Sequence, residues 1–396
     1  MNSTVENESI VITLGKRIDT NNAPQVEQEI DEIIKANEGL TPAFDALELE
    51  YISSVGLRIL MKYCKATGKK IQIRNVSKDV FDIFETTGFT NILDVQKKMR
   101  EISVEGCELI GSGGYGMVYR IDPETIAKIY LPQVSLEMVK KERDVAQKAF
   151  LAGVPTAISY DVVRCGDSYG VVFELLNAKT VAQHMADDPS CVKEMGVRSA
   201  NLLRELHKIE VKDNLIPNRK EEMLAWIENI KCILEPSEVE ELSAFIRAIP
   251  DSNHFLHGDF NSKNIMVNGD EFLLIDIGDA AVGHPVFDLA GLLLPYVYLP
   301  QSPMPDEEKV RLLGFRLEDA PLMLKTMLAT YFGYDENDEQ QYGMKMQLLN
   351  PYAALLASYH GSRRTGFNAD LMRQTHLPLI KGRLLPAIRQ TKPIDW

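Results

Sequence analysis

The stretch HGDFNSKNIMVNGDEFLLIDIGD, His257–Asp279, decides how this chain is read. It carries Asp259, then Asn264 five residues on, then Asp276 twelve residues further. The segment between the last two reads as a hairpin with an Asn268-Gly269 turn. A hairpin folds back on itself, so Asn264 and Asp276 can face each other across a cation. Mg²⁺ takes oxygen ligands and keeps company with phosphates. Asp259 is then left free of metal duty, to orient or deprotonate an incoming hydroxyl. The spacing suits phosphoryl transfer, which needs further parts elsewhere in the chain: a cradle for phosphates and a fixed positive charge.

Those parts lie upstream. IGSGGYGMVYRI, Ile110–Ile121, holds Gly111, Gly113 and Gly116 as G-x-G-x-x-G. In a dinucleotide fold the third glycine opens a helix. Here MVYRI follows, which forms a strand, and a strand–turn–strand hairpin is able to fold over phosphates. Tyr115 lies near its tip, where an aromatic ring can shield phosphates from water. TIAKIY, Thr125–Tyr130, puts Lys128 in an apolar strand on the same face as Ile126. A lysine there needs an anion, and the α/β-phosphates of ATP are a natural one. In LEMVKKERDVAQKAFLAG, Val139, Ala146, Ala149 and Phe150 share one helical stripe, and Glu142 falls on it. An inward acid is costly unless paired, so Lys128 is its expected partner. YGVVFELL, Tyr169–Leu176, reads as a strand running into a hinge. There the backbone of Glu174 and Leu176 would meet the adenine edge, with Phe173 at the back of the pocket.

This set of parts resembles the aminoglycoside phosphotransferase/choline kinase group of the protein-kinase-like superfamily over residues 105 to 300. HGDFNSKN stands for its catalytic loop and IDIGD for its metal-binding segment. The resemblance implies ATP and Mg²⁺ as cofactors, Asp259 as the catalytic aspartate, and Asn264 and Asp276 as metal ligands. Asp288 in HPVFDLA matches a structural aspartate of the group, and His257 reads as an imidazole bracing the loop. Asp279 either lies near a second metal or caps a turn. Gly258 stands where protein kinases carry the arginine of HRD, no APE follows, and no long activation loop is present. These departures favour the small-molecule branch, with a small-molecule hydroxyl as acceptor. The tail beyond residue 295 is mostly helical by pattern, and such helices wall the acceptor site in the resembling kinases. Arg363 and Arg364 would either recognise an anionic acceptor or solvate a helix end.

The first hundred residues are a different object. Strands are expected at Ser9–Leu14, Ala43–Leu49 and Lys69–Val76, and helices over Asn22–Asn37, after YISS, and after Ser77. Strand and helix alternate, which predicts one sheet with helices packed on it. YISSVGLRIL after a strand resembles the signature of STAS domains, over residues 8 to 98. In that family a serine or threonine at the start of this helix can be phosphorylated, switching binding to a partner kinase. Ser54 is the matching candidate, expected to cap the helix, where a phosphate would meet free N–H groups. Ser53 stands where phospho-regulated members usually carry aspartate. The domain implies a protein partner, or a second copy of the chain, through this module.

The expected fold is thus an α/β STAS-type sandwich followed by a bilobal α+β protein-kinase-like domain. The expected boundaries are 1–102 for the STAS-like domain, 103–177 for the N-lobe and 178–396 for the C-lobe. A net charge of −14 over 396 residues argues against nucleic-acid or membrane-surface binding. Five cysteines without CxxC spacing suggest neither zinc nor a redox pair, and read as free thiols in a reducing cytoplasm. No signal peptide and no membrane span are legible. The expected activity is phosphoryl transfer from ATP to a small molecule, with the STAS module regulating or docking. Its rivals are a signalling protein kinase and a nucleotide-binding scaffold in a partner-switching pathway.

Overall fold

The computed structural model describes residues 1–6, 8–211, 216–365 and 369–391. The side chains of Arg364 and Thr365 lie outside that description. Contacts divide the chain into two compact units, Met1–Ile102 and Ser103–Trp396.

The first unit is a five-stranded sheet with helices as its crossovers. Its elements are β1 (Ser3–Glu6), β2 (Ser9–Thr13), α1 (Ala23–Ala36), β3 (Thr41–Asp45), α2 (Ser54–Thr67), β4 (Gln72–Val76), α3 (Lys78–Thr86) and β5 (Asp94–Lys97). The strands lie in chain order across the sheet. β1 and β2 pair antiparallel, and the remaining neighbours pair parallel. Short apolar runs such as Ile10–Ile12 and Ala43–Phe44 are buried because parallel strands are covered by their own crossover helices. Ile30, Leu57, Leu60 and Phe84 from the three helices complete one core.

Two local expectations are corrected here. β3 stops at Asp45 rather than Leu49, because the Asp45 carboxylate accepts the Leu47 N–H at 3.0 Å and starts a turn. The cap of α2 is Ser53, not Ser54. Ser53 N–H donates to Ile18 O at 2.8 Å, which holds Ser53 extended, and its hydroxyl accepts the Gly56 N–H. Ser54 becomes the first helical residue and is exposed. Gly56 is needed where it stands: a β-carbon there would lie 2.7 Å from Ile52 Cγ1 and 2.8 Å from Ile18 Cγ2.

The second unit begins with an antiparallel sheet. Its strands are β6 (Glu108–Gly113), β7 (Gly116–Arg120), β8 (Thr125–Tyr130), β9 (Ser159–Cys165) and β10 (Ser168–Glu174), in the order β9-β10-β8-β7-β6. Helix α4 (Leu136–Leu151) crosses between β8 and β9, capped by Ser135. It buries Val139, Val145, Ala146 and Ala149. Phe150, expected on this stripe, is 43% exposed, because the buried face is rotated toward Val145. The rest of the unit is largely helical around the larger core, to which Trp226, Phe255, Phe287, Leu324 and Leu355 belong. The hairpin Ile265–Asn268/Glu271–Leu274 packs on it through Ile265 and Leu274. Its register makes Gly269-Asp270 the turn, one residue beyond the expected pair. Gly269 has φ 60°, the positive value that a II′ turn asks of its first central residue.

Candidate active site

The glycine hairpin comes first. β6 and β7 pair Gly113 with Gly116, leaving Gly114 and Tyr115 as the tip. Tyr115 is 47% exposed. The three glycines of the motif differ in what they do. A β-carbon on Gly116 would overlap the Ile129 carbonyl oxygen of β8, so the sheet itself excludes a side chain there. A β-carbon on Gly113 would meet nothing within 4 Å, and one on Gly111 only the Val118 side chain at ordinary contact distance. At those two positions the fold does not demand glycine, so the open backbone is left available to a ligand.

Lys128 on β8 is the hub. Its ammonium lies 2.7 Å from Glu142 Oε1 of α4 and 2.7 Å from Asp276 Oδ1. The expected Lys–Glu pair is therefore formed, and one cation ties the sheet, the helix and the Asp276 turn together. Burial would favour the neutral amine, but the two carboxylates outweigh it and raise the ammonium's pKa. Tyr130, behind the same pair, is raised by burial and by Glu142. Gly278 allows α4 this close, since a β-carbon there would sit 2.8 Å from Glu142 Cδ.

Asp276 has φ 60° and ψ 52°, a left-handed conformation that aspartate tolerates better than most residues. Its side chain is about half exposed, at 48%. The backbone ties it to the other two oxygen-bearing residues. Ile275 N–H donates to Asn264 O at 3.0 Å, and His257 Nε2 reaches Ile275 O at 3.2 Å. The Asn264 amide donates to Asp259 Oδ2 at 3.0 Å and to Asp259 O at 2.9 Å. Asn261 holds the other carboxylate oxygen, Oδ1, at 3.0 Å. Asp259 itself is open to solvent, though protein surrounds it on most sides. That low-dielectric setting, with Asp276 and Asp279 nearby, pushes its carboxyl above the ordinary value despite the His257 imidazole and the Asn261 amide.

The loop is braced from below. Asp288 is buried and accepts the N–H groups of His257 and Gly258, each at 2.8 Å. Burial would raise its pKa, but His207 and the backbone donors outweigh this and hold it below the ordinary range. His257 is fully buried and accepts the Asp259 N–H on Nδ1, so it braces the loop as expected. At the end of β10, Leu175 N–H donates to Glu124 O and Glu174 N–H to Ile158 O. No acceptor among the described residues meets the Leu176 N–H.

Sequence reasoning missed two side chains. His207 bridges Asp288 and the Tyr331 hydroxyl, at 3.2 and 2.8 Å. Arg219, only 1% exposed, donates to the Asp279 carbonyl and pairs with Glu222 at 3.2 Å. PNRKEE reads as an ordinary helix start, and nothing local marks its arginine as buried. Arg363 pairs with the Asp279 carboxylate at 3.2 Å. Burial would raise Asp279, but His360, Arg363 and Arg219 outweigh it and hold its carboxyl low.

Mg²⁺ fits these residues. The Asn264 NH₂ is spent on Asp259, and among the described residues no donor meets its Oδ1. Asp276 already carries a cation, the Lys128 ammonium, on Oδ1. Both potential ligands are hard oxygens, and the half-exposed Asp276 side chain is open to phosphate oxygens and water as the rest of a shell. Among the described residues no cluster of three His, Cys, Asp or Glu is built for a softer metal.

Known proteins give the family. No curated relative matches the chain. The ADP-bound structure of aminoglycoside phosphotransferase APH(2'')-Ib aligns at 17% identity, over 76% of this chain and 97% of that one, with a TM-score of 0.45. A choline/ethanolamine kinase family protein from Mesorhizobium loti aligns at 16%, over 72% and 92%, with a TM-score of 0.42. The STAS domain family matches residues 2–102. The phosphotransferase enzyme family matches residues 106–323, more than half of the chain. On that match the chain belongs to the phosphotransferase enzyme family, with a STAS domain at its N-terminal side.

Proposed function

We propose that this phosphotransferase transfers the γ-phosphoryl group of ATP to a hydroxyl of a small molecule, with Mg²⁺. The observation that carries the reading is the Lys128 ammonium held at 2.7 Å by both Glu142 and Asp276. A cation paired with one carboxylate on each side is poised to exchange the Asp276 contact for phosphate oxygens, while Glu142 keeps it aimed. Gly111 and Gly113, without side chains, let the phosphates come close to the hairpin backbone, and Gly116 keeps the hairpin on β8. The Glu174 carbonyl and the Leu176 N–H suit the adenine edge. Asn264 and Asp276 would hold Mg²⁺, which when bound offsets charge on the transferring phosphoryl group. Asp259, its carboxylate fixed by two amide donors, orients the acceptor hydroxyl and takes its proton.

The test is an ATP-consumption screen of the full chain against amino alcohols, aminoglycosides, sugars and nucleosides. Turnover with one of them that disappears in Asp259→Ala, while nucleotide still binds, supports the reading. Equal turnover by that variant contradicts it. The STAS domain we assign to regulation or docking, through a partner protein or a second copy. Ser54, exposed at the first helical position, is the residue we assign to phosphorylation. Phosphopeptide mapping of the chain purified from its native cell checks this: phosphate on Ser54 is expected, and a fully unmodified Ser54 peptide contradicts it.

A further inference from the structure

Arg219 is the first residue of the helix Arg219–Ile230 and among the largest fully buried side chains. A buried guanidinium is expensive, and a fold seeking stability alone does as well with a hydrophobic side chain of similar size. Its contacts are specific. Nη2 donates to the Asp279 carbonyl, on the turn that begins at Asp276. Nη1 is held by Glu222, one turn further along the same helix. The same Nη2 also lies against the Asp259 loop: a β-carbon on Gly258 would fall 2.7 Å from Arg219 Nη2 and would overlap the Asp279 carbonyl oxygen. Gly258 also has φ 83°, so glycine is required there twice over.

One planar group therefore lies beside the point where the loop bearing Asp259 meets the turn that begins at Asp276. Its own footing is firm. Asn218 caps the helix through the N–H groups of Lys220 and Glu221, at 2.9 and 3.2 Å. The Pro217 carbonyl accepts the Val282 N–H at 2.8 Å. The segment after the metal turn is thus pinned to the start of this helix at two points, the Val282 N–H and the Asp279 carbonyl. Arg363, on the helix Glu339–Thr365, holds the Asp279 carboxylate, so Asp279 is engaged through both its backbone and its side chain.

We propose that Arg219 is a positioning residue for phosphoryl transfer. It anchors the Asp279 carbonyl where the turn packs against Gly258 of the Asp259 loop, and through that turn it sets how well Asp276 meets a nucleotide-bound divalent ion. The inference rests on the roles proposed above for Asp259 and Asp276. It touches neither nucleotide nor acceptor, and its effect passes through the Asp279 carbonyl. Arginine suits the place because its fork spans two partners in one plane, which a lysine ammonium does not.

The test uses the full chain as Arg219→Met, which keeps most of the buried volume, and Arg219→Lys, which keeps the charge. Binding of a fluorescent ADP analogue is measured without metal and across a Mg²⁺ titration, alongside ATP turnover. Disturbing a residue that orients a metal ligand costs about 10–100-fold in metal affinity or activity. Both folded variants should bind metal-free ADP within about twofold of wild type and need about tenfold more Mg²⁺ for the metal-dependent enhancement. A purely structural arginine would leave the Mg²⁺ midpoint unmoved whatever the change in melting temperature, and an unmoved midpoint in either folded variant overturns the inference. Asp259→Asn runs in parallel to separate the two layers. If Asp259→Asn turns over ATP at the wild-type rate, the underlying assignment of Asp259 fails. If Asp259→Asn is inactive and the Arg219 variants keep the wild-type Mg²⁺ midpoint, only the Arg219 inference fails.

Discussion

Asp288 shows what a single buried carboxylate contributes to the site. It satisfies two consecutive backbone donors, at His257 and Gly258, and one histidine. Asp288→Ala would leave those donors buried without a partner, a loss of about 3–5 kcal/mol. Chemical denaturation checks this, and a loss under about 1 kcal/mol would contradict it. His284 gives a pH prediction. Its Nδ1 accepts the Val286 N–H, and burial, with His254 and His207 nearby, lowers its pKa to about 4. The unfolded chain takes up this proton near 6.5 and the folded chain only near 4, so stability falls as pH drops through that window. Melting temperatures between pH 7 and 4 should decline less steeply in His284→Asn than in wild type. At this scale the convergence of Asp259, Asn264, Asp276 and Lys128 was legible, because it is written in short spacings and a lone charge among apolar residues. Arg219 was not, because its partner Asp279 lies sixty residues away in sequence and no local pattern reports it.

Elements decide which of several similar residues does a job. The motif glycines look alike in sequence, yet only Gly116 is held by the sheet, since β7 and β8 approach closely there. Gly116→Ala should therefore destabilise the protein by about 1–3 kcal/mol through overpacking. Gly113→Ala should stay within about 0.5 kcal/mol of wild type, and show its effect in nucleotide affinity instead. Equal stability losses in the two would contradict the distinction. The same logic explains Ser53 and Ser54. Both are good caps by type, but the pairing of Arg17–Ile18 with Tyr51–Ile52 ends the extended backbone at Ser53, so the helix starts one residue earlier than expected. Phe150 was misplaced because a stripe read from spacing leaves its rotation free by one residue. Glu142, nearer the centre of that stripe, was not affected.

The whole molecule comprises two units with separate cores. Every core residue of the first, from Ile10 to Leu93, lies within Met1–Ile102. A fragment of residues 1–102 should fold by itself and melt cooperatively by circular dichroism. A fragment without a cooperative transition would contradict that independence. Alternating strands and helices in the first hundred residues made this unit legible, because each element carries its own periodic apolar face. The helical remainder was legible only as helices, since their mutual packing depends on contacts far apart in sequence. Among the described residues no helix is long and apolar enough to cross a membrane.

The claim on which the functional reading turns is that Asn264 and Asp276 hold a divalent ion on the nucleotide beside Asp259. The direct measurement is electron paramagnetic resonance of Mn²⁺ titrated into the full chain with ADP. Wild type should immobilise Mn²⁺ only when nucleotide is present, and Asp276→Asn and Asn264→Ala should lose most of that signal while still binding metal-free ADP. Mn²⁺ bound equally well by wild type and both variants would contradict it.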